Sequence, residues 1–200
     1  MINILQQRGV SMSVLDVVKS RRSIRKFQNK PVTKHDVIKL LDAARLAPSG
    51  FNRQPWKFIY AQSPRVLRMI KSCSPGFYGD ASAAIVMGIE EKGDAFQRER
   101  AKAFHRQQYS DIVGVMDIGF SAENILLVAH SLGLGACAIA SFNENGLKSV
   151  LNAPDNWRPL LIISLGYPDE DPKMPPKKKL SEIVYLDEYG KKWDELEKQV

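Results

Sequence analysis

The stretch GVMDIGFSAENILLVAHSLGLGACAIASF, residues 114–142, decides the fold. Residues 114–132 are apolar nearly all round, which marks a helix buried on several sides rather than a surface helix with a single stripe. Gly133 and Gly135 close it, and ACAIASF, residues 136–142, reads as a strand. Such a helix needs layers on more than one side, so the spacing predicts the spine of a domain.

Working outward, KFIYAQ (57–62), AAIVMGIE (83–90) and RPLLIISLGYP (158–168) read as further strands, the second of them buried. Residues 64–71 and 144–151 read as short helices, and polar residues 91–110 as a surface helix. Toward the amino end, Val14, Leu15 and Val18 follow caps at Ser11 or Ser13 and predict a helix ending at an arginine cluster. Thr33 caps the next helix with Asp36 three residues on, and Val37, Leu40, Leu41 and Ala44 form its apolar face, which stops before Pro48. Residues 168–179 are an extended connection, and 187–200 read as a terminal helix. Helices dominate the first half, so the expected class is α+β around one sheet, as a single domain over residues 1–200 with 1–12 as a disordered extension.

A composition of 44% hydrophobic and 26% charged residues over 200 excludes disordered and fibrous classes. The longest apolar runs, 83–89 and 125–129, fall short of the roughly 20 residues that span a bilayer, and residues 1–12 lack a secretory pattern. A cytoplasmic address is therefore expected. Cys73 and Cys137 show no CxxC grouping and His35, His105 and His130 no ligand spacing, so no metal is assigned. Both cysteines read as small buried hydrophobes and His130 as a core or interface residue. The net charge of +7 favours an anionic partner without choosing among nucleic acid, lipid and a phosphorylated small molecule.

Two stretches carry chemistry. In SRRSIRKF (20–27), Arg21, Arg22, Ser23 and Arg25 combine guanidinium forks with a hydroxyl, which suits a phosphate, although taken alone such a cluster more often serves as surface charge or as charge compensation at a helix end. In APSGFNRQPW (47–56), Pro48 and Gly50 shape the backbone while Ser49, Asn52 and Gln54 bring neutral hydrogen-bonding groups beside Pro55 and Trp56. That set fits the edge of a heterocycle or a tight helix-to-strand corner, with Trp56 mainly in packing. Lys177, Lys178 and Lys179 form a further cationic run in the tail.

The order of SRRSIRKF, APSGFNRQPWKF (47–58), HSLGLGACAIASF (130–142) and LLIISLGYPDEDPKMPPKKKLSEIV (160–184) resembles the nitroreductase family of flavin mononucleotide (FMN) enzymes, over residues 14–184. The resemblance implies a mostly antiparallel sheet flanked by helices in an intertwined homodimer, with residues 168–200 packing on the partner subunit. It implies that Arg21 and Ser23, with Arg22 between, grip the FMN phosphate, while Arg25 faces the pyrimidine edge, where a cation stabilises negative charge gained on reduction. Pro48, Ser49, Asn52 and Gln54 would contact the flavin from the other subunit. Backbone amides near Ile139, Ala140 and Ser141 would face flavin N5. Lys177, with Lys178 or Lys179 as alternatives, would stand where the family usually has a phosphate-binding arginine, as a point charge rather than a fork.

The implied activity is ping-pong transfer of hydride from NADH or NADPH through FMN to an electron-poor acceptor such as a nitroaromatic, a quinone or free flavin. No side chain is assigned as a catalytic nucleophile or acid. Rivals are flavin fragmentation or reductive dehalogenation on the same fold and, with no motif in support, a basic nucleic-acid-binding module. Residues 74–78 and 91–110 are expected to line the open face of the flavin.

Overall fold

The computed structural model describes residues 13–90 and 107–194. Strands β1 (Trp56–Ala61), β2 (Ala83–Glu90), β3 (Gly135–Ile139) and β4 (Trp157–Gly166) form one antiparallel sheet in the order β1-β2-β4-β3. Helices α1 (Val14–Ser20), α2 (Lys34–Arg45), α3 (Pro64–Ser72), α4 (Gln107–Ser131) and α5 (Glu144–Leu151) surround it. The α+β expectation holds.

Central strand β2 explains the layering. Ala83, Ile85, Met87 and Ile89 join the cluster that holds α2 and α4, whereas Ala84 and Val86 join the cluster with Leu67 and Ile70 of α3 and Leu147 of α5. Both faces are covered, so the strand is a continuous apolar run with no polar alternation. Buried Trp56 stacks near Phe58, as its packing reading expects. Cys137 is buried, but Cys73 is only half-buried; both are free thiols.

The spine helix is longer than expected and not wrapped on every side. Ile118, Ala122, Ile125 and Ala129 of α4 face the core, while Ile112, Val115, Met116 and Phe120 stay exposed. Residues Ile112–Ser131 form a longer apolar stretch than the runs picked out in the sequence, long and apolar enough by length and composition alone to cross a membrane, a test that a core helix also passes. Inside the fold they form a core helix: Ser121 Oγ donates to Ala44 O and Asn124 Nδ2 to Ala43 O, each at 2.9 Å, fastening α4 to α2.

Ser13 caps α1 in a reciprocal box with Asp16, and Thr33 caps α2 by accepting from the Asp36 N–H. Yet α1 buries none of its residues, and Val14 is 77% exposed. The terminal helix expected from residue 187 is absent over 187–193, because Asp187 (φ 64) and Gly190 (φ 90) turn the chain back and Leu186 N–H donates to Lys191 O. The expected extension 1–12 and nearly all of the surface helix 91–110 lie outside the described residues, save that Gln107 to Ser110 open α4.

Candidate functional site

After α1 the chain runs extended beside the outer edge of β3. Ser23 bridges Ala136 in parallel, and Ile24 N–H donates to Ala136 O at 3.0 Å. Farther on, Gln28 N–H donates to Tyr167 O (2.9 Å), Asp169 N–H to Lys26 O (3.0 Å), and Glu170 Oε1 accepts from both Arg25 and Lys26 N–H. The backbone of this strip is thus held on two sides. Arg22 spends Nη1 on the carbonyls of Lys19 (2.8 Å) and Arg21 (2.7 Å), the helix-end role weighed for the cluster. The side chains of Arg21, Ser23 and Arg25 make no hydrogen bond or ion pair among the described residues.

The far end of β3 joins the same edge through residues 73–79. Ser74 Oγ donates to Ser141 O at 2.7 Å, and Asn143 N–H to Cys73 O at 2.8 Å. Gly79 has φ +68, and a Cβ there would stand 2.1 Å from the Arg25 carbonyl oxygen. Arg25, residues 74–79 and Ile139, Ala140 and Ser141 therefore gather at one place, with the last two residues exposed beyond the strand end.

The corner of Pro48, Ser49, Asn52 and Gln54 lies elsewhere. It leads into β1, the opposite edge strand, so three strand spacings of roughly 4.8 Å, about 14 Å in all, separate it from the β3 edge. A 3-10 turn (Gly50–Asn52) is closed by Asn52 N–H to Ser49 O (2.9 Å), and Ser49 Oγ accepts from Gln54 N–H (3.0 Å). Phe51, Asn52 and Gln54 all have left-handed backbones, with φ of 56, 53 and 48. A Cβ on Gly50 would meet Val113 Cγ1 of α4 at 2.6 Å, so only glycine allows that approach. Lys177 and Lys178 are exposed on the extended tail, without a hydrogen bond or ion pair among the described residues.

His130 near the end of α4 faces the arginine segment. Ser20 gives its proton to Asp16 O (2.6 Å), so His130 Nε2–H donates to Ser20 Oγ at 2.8 Å. Burial, and then the charges of Arg21 and Arg22, push the His130 pKa below 6.5. A folded-state value below the unfolded one favours the neutral ring, so its contribution is full above pH 6.5, begins to fall as pH drops below that value, and is lost once pH falls through the lower folded-state value. Urea unfolding from pH 8 to 5 should therefore show stability declining on acidification, with a shallower decline in His130→Asn; identical slopes would exclude the histidine.

Asp117, Glu170 and Gly79 shape these segments and escaped the sequence reading. Asp117 had a visible signal, a lone acid within the apolar run VMDIGF. Glu170 and Gly79 had none, since each acts on backbone far along the chain.

Residues 18–167 match the profile of the Nitroreductase family. A Methanothermobacter thermautotrophicus protein named "Putative NADH dehydrogenase/NAD(P)H nitroreductase" is 34% identical over 169 residues, 80% of either chain. An iodotyrosine deiodinase of Thermotoga neapolitana is 25% identical over 187 residues, 84% of this chain and 94% of its own. The crystal structure of a nitroreductase family protein from Clostridium difficile 630 superposes with a TM-score of 0.75 at 27% identity, covering 88% of this chain and 99% of that one.

Proposed function

The chain belongs to the nitroreductase family, and from that premise we propose an FMN-dependent NAD(P)H oxidoreductase that works as a homodimer with each cofactor site shared between two copies. The observation that carries this reading is the separation of the two predicted half-sites onto opposite edges of one sheet. A second copy that lays its corner over the β3 edge would complete each half without rearranging the first. Its place is suggested by the exposed apolar residues of α1 and by Ile112, Val115, Met116 and Phe120 on α4, the helix that seats the corner through Val113. Covering that stripe brings a partner beside the corner.

The donor chemistry fits FMN. The guanidinium groups of Arg21 and Arg25 lack a carboxylate partner among the described residues, and Ser23 adds a hydroxyl, so an anion meets cations already in place. Arg21 and Ser23 hold the phosphate, with Lys177 or Lys178 adding charge and Arg22 steadying the helix end. Arg25 lies toward the pyrimidine edge, its backbone fixed by Glu170, and favours negative charge there. Ser49, Asn52 and Gln54 of the second copy read the ring's polar edge, and the backbone from Ile139 to Ser141 bounds its reactive side. When bound, FMN supplies the two-electron carrier between nicotinamide and acceptor in a ping-pong cycle. The protein's contribution is orientation and electrostatics, and no side chain is required as a nucleophile.

The deiodinase relative favours one second reading, reductive dehalogenation on this fold. FMN-loaded protein should be yellow, dimeric on gel filtration, and bleach anaerobically with NADH or NADPH. Turnover with a quinone or nitroaromatic supports the oxidoreductase reading. Turnover with a halogenated phenol alone transfers the assignment to the second, and a monomer with full activity sinks the shared site.

A further inference from the structure

Asp117 is a charged residue, 1% exposed, in the middle of an apolar helix. Its Oδ1 accepts the Gly50 N–H at 3.0 Å, and its Oδ2 stands 3.6 Å from Arg53 Nη2, within ion-pair reach and outside hydrogen-bonding reach. Arg53 returns to the same turn, its Nε donating to Gly50 O at 3.2 Å. Arg53 sits between Asn52 and Gln54, two of the three residues held in left-handed conformations. Each such residue costs about 1–2 kcal/mol and persists only where its surroundings impose it.

Stability alone is a weak reason for such a pair. Taking two charges out of water is costly, and an apolar replacement of similar volume is often neutral or better. The bonds within the corner are local and turn with it as a unit, whereas Asp117 belongs to α4 and fixes the corner relative to the body of the domain.

We propose that Asp117 is a positioning residue, which through Gly50 and Arg53 sets the conformation in which the corner offers Ser49, Asn52 and Gln54 to the cofactor. This rests on the reading of the corner as a flavin contact. A preset corner spares the ordering cost that a loose loop incurs on binding.

The test compares Asp117→Ala, Asp117→Asn and Ser121→Ala. The last removes a different buried polar group of α4, the hydroxyl bonded to Ala44 O, and leaves the corner alone. Amide exchange in FMN-free protein and FMN affinity by fluorescence quenching are measured for each. In Asp117→Ala, exchange at Gly50, Asn52, Arg53 and Gln54 should quicken at least about tenfold relative to β2, and the FMN dissociation constant should rise about tenfold, as expected for loss of a charged hydrogen bond. Asp117→Asn keeps an acceptor for Gly50 and should restore that amide, with affinity within about threefold of wild type and exchange at Arg53 and Gln54 two- to threefold faster.

Unchanged exchange at the corner in Asp117→Ala overturns the proposal, as does an equal loss of affinity in Ser121→Ala. If Asp117→Ala does not fold, Asp117→Asn decides, and unaltered exchange at Arg53 and Gln54 overturns it. Wild-type protein that fails to bind FMN defeats the functional reading, while the exchange data still decide whether Asp117 holds the corner.

Discussion

Arg21→Ala will raise the FMN dissociation constant about 10- to 100-fold, because a charge-assisted bond to phosphate contributes about 1.5–3 kcal/mol. Arg21 has no partner among the described residues that would offset this gain in the free protein. Its neighbour gives the contrast. Arg22 has Nη1 on two carbonyls at the end of α1, so Arg22→Ala should alter affinity less than threefold, roughly 0.6 kcal/mol or below, and loosen the helix end instead. Fluorescence titration of both variants measures the difference. Equal losses would mean that the two arginines act as undifferentiated charge, and wild-type affinity in Arg21→Ala would remove Arg21 from the site.

Gly79→Ala will lower stability by about 3 kcal/mol, or about 6–12 °C in Tm for a chain of this size. Two causes add. A left-handed backbone costs an ordinary residue about 1–2 kcal/mol, and the new methyl would stand 2.1 Å from the Arg25 carbonyl, a backbone atom that cannot rotate aside. Gly190→Ala isolates the first cause, since Gly190 also has positive φ (+90) but nothing within 4 Å of an added Cβ. It should cost only the strain, and scanning calorimetry on both gives the overlap by subtraction. Because the displaced atom belongs to Arg25, Gly79→Ala should also weaken FMN binding, whereas Gly190→Ala should not. A Gly79→Ala protein as stable as Gly190→Ala would show that the loop swings free of the arginine strip.

Much of the architecture was legible because local pattern and final burial agree. AAIVMGIE reads as a buried strand and is β2 to the residue, since a strand covered on both faces has no polar alternation to confuse it. Residues 144–151 form α5 as read. The match of residues 18–167 to the family agrees with the order of motifs that suggested it, among them the arginine cluster and the corner. Local pattern failed where the partner group is distant. Val14, Leu15 and Val18 have helical spacing, but spacing does not say whether an apolar face turns to its own domain or outward. Nothing in SRRSIRKF reveals that Arg22 curls back onto carbonyls while Arg21 does not. The link between Gly50 and Asp117 spans 67 positions, beyond any helical or strand period.

The Glu170 contact has a consequence for biosynthesis. Arg25 and Glu170 are 145 positions apart, and the other rail, at Ala136, also comes late in translation. While the ribosome is still making the middle of the chain, the arginines have emerged but neither support exists. A nascent or truncated polypeptide ending before residue 136 therefore displays this cationic segment without the scaffold that orders it. On the proposed function, competence to take up FMN would arrive only when the last third of the protein has been made.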